Sequence, residues 1–282
     1  MTETTASADA STSWLGRATR HRCAAAAAHL AMTAGVLAGI CTLAAYLWYP
    51  APYFAASGVW RAMLMLIGVG LVIGPLPTLV VFKPGKWGLT FDLWVIGSIQ
   101  LAVLAFGTFT LYRERPQYLV FAVDRFHLLA GPDVVTTGEL ADAQLLAAQR
   151  IGARPARGPL VVAALRPKDP AAAQRLLVET VFQQGPDIER RPEFWAPYAA
   201  TVGDVRAHAH PLPIPGESTE ATRASIEQTL ARLGRPRAEL GYLPLIGRNH
   251  DFAMIVDLRD GSPLSTIDMD PWAPVTAAAQ PR

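Results

Sequence analysis

Apolar residues gather in three long runs near the start of the chain, and beyond residue 111 apolar and polar positions alternate over short stretches. The first run, Ala24–Trp48, is 25 residues long and is interrupted only by His29, Thr33 and Thr42. The second, Ala62–Phe82, has 21 residues with one Thr and no charge; the third, Leu93–Leu111, has 19 with Ser98, Gln100 and two threonines. A helix needs about 20 apolar residues to cross a bilayer. Three such runs in succession predict three transmembrane α-helices rather than buried core helices.

After residue 111 the pattern is that of a soluble domain. Tyr118–Val123 (YLVFAV) and Leu160–Leu165 predict strands, and Glu139–Gln149 predicts a helix. Asp169-Pro170 supplies an N-cap followed by proline at the first helical position, with Gly185 ending that helix. Ser218 is read as the cap of a helix running to Leu233, stopped by Gly234. Phe252–Leu258 and Leu264–Asp268 flank an Asp260-Gly261 turn, which predicts a hairpin. His210–Gly216 is proline-rich and reads as a loop. The fold class is therefore a membrane protein, with three N-terminal transmembrane helices followed by a mixed α/β (α+β) soluble domain. Its divisions are 1–23, a basic N-terminus of disordered composition; 24–111, the membrane domain; and 112–282, the soluble domain.

Charge sharpens this picture. Between Cys23 and Leu111 the only charged residues are Arg61, Lys83, Lys86 and Asp92, whereas Tyr112 onward carries 19 basic and 20 acidic residues. A near-neutral domain lacks the basic footprint that nucleic acid requires. Lys and Arg in short loops mark the cytoplasmic side. Arg17, Arg20 and Arg22 precede the first span, Tyr49–Trp60 holds no charge, and Lys83 and Lys86 lie between spans two and three. The N-terminus and second link are thus expected in the cytoplasm, and the first link and C-terminal domain outside it. The first apolar run is about twice the length of a signal-peptide core and reads as an anchor.

Catalytic patterns are sparse. The two cysteines, Cys23 and Cys41, share one helix and stand about 27 Å apart at helical rise, too far to bridge. No HExxH, Walker A, GxSxG or GxGxxG stands in a suitable context. His208-Ala-His210 is the best metal candidate, as alternate residues of a strand share a face, but a structural or exposed pair is the default. Asn249-His250-Asp251 reads as a turn. Asp257, Asp260, Asp268 and Asp270 do not match an EF-hand spacing. No catalytic, cofactor or metal residue is assigned, and the chain is read as a non-enzyme. Gly35-x-x-x-Gly39 and Gly70-x-x-x-Gly74 permit close helix approach. Packing within the bundle is the plain reading, and a docking face for another membrane helix is the sharper one. Pro75 and Pro77 are expected to kink span two, and Gln100 to hydrogen-bond between helices.

Several segments in order carry a resemblance: Tyr49-Pro50-Ala51-Pro52-Tyr53-Phe54, Gly58-Val59-Trp60-Arg61, Gly68 to Leu76, Val81-Phe82-Lys83-Pro84-Gly85-Lys86, Arg115 to Phe126, and Asp270-Pro271-Trp272. Together they resemble the type IV pilin accessory proteins of the TfpX/TfpZ kind, although that family often has Asp where Gly70 stands and Leu where Pro77 stands. The resemblance implies an inner-membrane, multi-pass accessory factor that supports the stability or assembly of a cognate type IV pilin. No catalytic residues or cofactor come with it. Its implied partners are the pilin, other pilus assembly proteins and the lipid bilayer. Gly70 and Gly74 are the candidate contact with the pilin helix. A membrane-anchored periplasmic sensor or ligand-binding protein is the alternative, and a hydrolase built on His250-Asp251 a third reading.

Overall fold

The computed structural model describes residues 3–135, 151, 155, 157–213 and 219–272, with side chains from residue 19 onward. The chain divides into two compact units, one of residues 1–44 and 60–112, the other of residues 45–59 and 113–282.

The first unit is helical. Helix α1 spans Glu3–Leu43, α3 Val59–Ile73, α4 Pro75–Val81 and α5 Leu89–Arg113. Three stretches are long and apolar enough to cross a membrane: Thr19–Trp48, Val59–Val81 and Leu89–Arg113. α1 already begins at Glu3, inside the stretch whose composition reads as disordered. Once a helix is nucleated by a strong apolar run, each further residue adds one hydrogen bond, so small residues such as these extend it cheaply. The second span breaks where its prolines predict: α3 stops at Ile73, Gly74 intervenes, and α4 starts with Pro75. Two missing N–H groups within three residues leave carbonyls of the preceding turn unpaired.

The second unit is built on an eight-stranded mixed sheet in the order β4-β3-β1-β2-β6-β7-β8, with β5 pairing β6. The strands are β1 Pro116–Ala122, β2 Arg125–Ala130, β3 Leu160–Ala164, β4 Trp195–Pro197, β5 His210–Pro211, β6 Leu240–Ile246, β7 Phe252–Asp257 and β8 Pro263–Ile267. The sequence predicts β1, β3 and the β7–β8 hairpin, whose Gly261 takes the left-handed φ of 73° that the turn needs. Four strands escape it, among them the three-residue edge strand β4. β2 follows β1 after a two-residue turn at Val123-Asp124, with Val123 at φ 61°. β5 is a two-residue strand inside the proline-rich stretch read as a loop. β6 contains Gly241 and Pro244, residues that ordinarily argue against an interior strand. The register shows why Pro244 is tolerated. Along the edge of β6 away from β7, β5 pairs at Gly241 and Tyr242, and β2 pairs at Leu245 and Ile246. Pro244 falls in the interval between those ladders, where no N–H is required.

Helices cover the sheet. α6, Pro170–Leu177, is capped by Asp169 as expected, its carboxylate accepting from the Ala172 N–H at 2.8 Å. α7 spans Val202–His208, and α8 Glu220–Leu233 ends at Gly234 with φ 60°. The cap of α8 is Thr219 rather than Ser218: its hydroxyl accepts from Thr222 N–H at 3.2 Å. Two adjacent hydroxyl residues are equivalent in sequence, and only helix phase separates them. The helix expected at Glu139–Gln149 lies outside the described residues. One face of the sheet presents Leu119, Phe121, Phe126, Leu243, Leu245, Met254 and Val256 to Val205 of α7. The other divides into a cluster around Val120, Val162 and Trp195 and a cluster around Tyr242, Ile255 and Ile226 of α8. Strand alternation accounts for both faces.

Candidate functional site

The link between the first two spans is part of the sheet domain. Its short helix α2, Tyr53–Ala56, puts Tyr53 and the fully buried Ala56 into the cluster of Phe121, Phe126, Leu245 and Phe252. Thr266 on β8 donates its hydroxyl to the Pro52 carbonyl at 2.8 Å. The backbone N–H of Arg248 donates to the Ala56 carbonyl at 3.1 Å. Gly58 has φ +66°, a conformation that favours glycine, and a Cβ there would press on the exposed Asn249 side chain.

The β6–β7 loop, residues 247–251, therefore acts as a junction. Arg248 bonds Glu114 at 2.6 Å and reaches Asp133 at 3.6 Å. Burial alone would lower the Arg248 pKa, but the Glu114 hydrogen bond and the Asp133 charge outweigh it and hold the guanidinium protonated. His250 Nε2 lies 3.1 Å from Asp268, and Asp251 accepts from Trp272 Nε1 at 2.9 Å. Trp272 in turn carries the Arg125 guanidinium 4.7 Å from its ring centroid. Segments that carry the resemblance thus meet here: the 49–54 run against β8, and Arg125 against Trp272.

Next to Arg125, His127 projects from the middle of β2. Burial, together with the positive charges of Arg125 and Arg190, lowers its pKa to about 4. Asp187 and Asp251 pull the other way and do not prevail. Nothing local in the sequence singled out His127 or Arg248. Their partners lie far away in the chain, and only the folded sheet assembles them.

The histidines and acids singled out in sequence do separate jobs. His208 ends α7, with Nδ1 2.8 Å from the Asp204 carbonyl, while His210 sits on β5 against the Tyr242 ring. They do not share a strand face, because the helix runs through His208. Asp257 is buried and bound by Arg235 and Arg259, each at 3.0 Å. Asp260 accepts from Ser262 N–H, which holds its carboxyl below the usual range, and Asp270 accepts from Trp272 N–H. Among the described residues, no three His, Cys, Asp or Glu side chains converge as a metal site.

Within the helical unit, Gly70 and Gly74 are buried. A Cβ at Gly70 would stand 3.1 Å from Leu37 and 3.5 Å from Leu104. At Gly74 it would stand 2.2 Å from Gln100 Oε1 and 2.7 Å from His29 Nε2. Both positions abut side chains of the chain's own helices. Gln100 bridges helices as expected: its amide donates to the Gly70 carbonyl at 3.0 Å, beside the break in span two. His29 Nδ1 lies 2.8 Å from Thr78 Oγ1. By contrast, Gly35 and Gly39 are exposed, with nothing near their Cβ positions.

Three apolar helices long enough to span a bilayer, joined to a mixed-sheet domain that takes in the first link, define a membrane protein with one sizeable soluble domain. The chain is 27% identical over 233 residues to a fimbrial assembly protein of serogroup I from Dichelobacter nodosus, a match covering 81% of this chain and 88% of that protein. The serogroup E1 protein of the same organism matches to the same extent. The protein of serogroups C1 and C2 is 28% identical over 109 residues, 38% of this chain and 83% of its own length. No family model and no solved structure matches the chain.

Proposed function

We propose that this protein takes part in type IV pilus biogenesis as a non-enzymatic accessory factor of the bacterial inner membrane, supporting the stability or assembly of a cognate pilin. The observation that carries the reading is the reach of the likeness to fimbrial assembly proteins. A match of 233 residues is longer than either compact unit, so it takes in membrane helices and sheet domain together.

In this reading the N-terminus and the Lys83–Lys86 link lie in the cytoplasm, and the sheet domain in the periplasm. The association of residues 45–59 with residues 113–282 fits three crossings, since segments of one domain belong on one side of a membrane, and the Lys and Arg distribution chooses the side. A pilin held in the bilayer by an apolar helix, with its head outside, meets a chain of matching layout. Two weak contacts on one chain, helix to helix and domain to head, reinforce each other through effective concentration.

Deleting the gene and restoring it tests the reading. Pilin level by immunoblot and surface pili by electron microscopy should both fall severalfold without the protein and return with it. Normal pilin and normal pili in the deletion strain would refute the accessory role.

A further inference from the structure

One helix of the sheet domain carries its apolar residues outward. From the Asp169 cap, α6 runs to Leu177 and continues as a wide helical turn through Val178–Phe182. Leu176 faces the cluster beneath β1 and β3, and Glu179 is bonded to Arg191. Leu177, Val178, Val181 and Phe182 lie on the outer side at the spacing of a single helix face, with Val181 59% and Phe182 77% exposed. A continuous apolar strip on the outside of a domain marks a surface that something else covers.

The charges of the same stretch argue for what covers it. Arg175 stands on the helix one turn before the strip and Arg166 and Lys168 just before its cap; all three are exposed, and none is held in an ion pair among the described residues. The two acids of the same stretch are engaged, Asp169 in capping Ala172 and Glu179 with Arg191. An apolar helix face with cations along the same stretch has the composition of a helix lying in a lipid headgroup layer. The domain also shares its chain with three helices long enough to span a bilayer.

We propose that the face formed by Leu177, Val178, Val181 and Phe182 binds the membrane surface, with Arg166, Lys168 and Arg175 meeting anionic headgroups. The strip enters the boundary between headgroups and acyl chains, and the cations stay at phosphate level. This property is separate from the pilus role, and either can fail without the other.

The test uses the full chain with Cys23→Ser and Cys41→Ser, a nitroxide label at Phe182→Cys, and a control label at Arg223→Cys on the exposed side of α8. The protein is reconstituted in vesicles of phosphatidylethanolamine with phosphatidylglycerol, and in vesicles of phosphatidylcholine alone. In the anionic vesicles, collision of the residue-182 label with oxygen should rise severalfold relative to collision with a water-soluble nickel chelate, and the control should not change. Combining Arg166→Glu, Lys168→Glu and Arg175→Glu should return the label to water. A label at residue 182 that stays as accessible to nickel as the control in both vesicles would overturn the proposal. So would protection that arises only when a pilus protein is reconstituted alongside, because the face would then be a protein-docking surface.

Discussion

Thr266 donates its hydroxyl to the carbonyl of Pro52, a residue 214 positions away in the chain, at 2.8 Å. That bond ties the last strand of the sheet to the link between the first two spans. Tyr53 and Ala56 then complete the apolar face that Phe121, Phe126 and Phe252 present. The link is a component of the domain core rather than a connector.

Removing it should therefore damage the domain. Tyr53→Ala should lower unfolding stability by roughly 3 kcal/mol, the scale of an aromatic truncation in a core. Thr266→Val, which deletes one hydrogen bond of similar shape, should cost about 1 kcal/mol. Thermal melts of the purified full chain read both. Melting points equal to wild type in both variants would mean that the link does not contribute to the domain.

Gly70 and Gly74 should behave differently from Gly35 and Gly39. Gly74→Leu places a side chain where Gln100 and His29 stand and should displace the Gln100 amide from the Gly70 carbonyl. The amount of protein in membranes should fall severalfold. Gly35→Ala and Gly39→Ala meet nothing, so protein level should be unchanged. Photo-crosslinkers at Gly70 and Gly74 should capture this chain's own helices. Capture of pilin there instead would make those glycines the pilin contact.

The contrast between the glycine pairs shows what sequence could and could not supply. Composition alone marks the spans, because a bilayer requires unbroken apolar length. Asp169-Pro170, Gly234 and Asp260-Gly261 are legible because cap and turn chemistry is local. β2 was hidden by the short turn at Val123-Asp124, and β6 by Gly241 and Pro244, whose acceptability depends on where neighbouring ladders stop. Which GxxxG faces inward depends on helix rotation, and both pairs have the same spacing. The junction of Arg248 with Glu114 and Asp133, and the burial of His127, arise only from long-range pairing.

His127 gives the domain an acid limb. Its pKa is lowered from the ordinary 6.5 to about 4 by burial and neighbouring arginines. The unfolded chain binds the proton first, so stability is fully present above about 6.5 and declines as pH falls toward 4. At about 1.4 kcal/mol per pKa unit, the loss over that window is of order 3 kcal/mol. His127→Gln should flatten this limb in urea melts between those pH values. An unaltered slope would place the acid sensitivity on another group.

Orientation gives the last prediction. Short loops rich in Lys and Arg are retained in the cytoplasm. Arg17, Arg20 and Arg22 precede span one, and Lys83 and Lys86 connect spans two and three; residues 49–59 between spans one and two carry no charge. Three crossings then deliver the end of the chain to the side opposite the N-terminus. Residues 45–59 and 113–282 form one compact unit, which requires both to lie on the same side. Alkaline phosphatase, which folds to an active form only outside the cytoplasm, should be inactive when fused at Gly85 and active when fused after Arg282. Lys83→Glu with Lys86→Glu should weaken retention of the second link and raise the activity of the Gly85 fusion. An active Gly85 fusion in the unaltered chain, with an inactive one after Arg282, would reverse the orientation and place the sheet domain in the cytoplasm, out of reach of a pilin head.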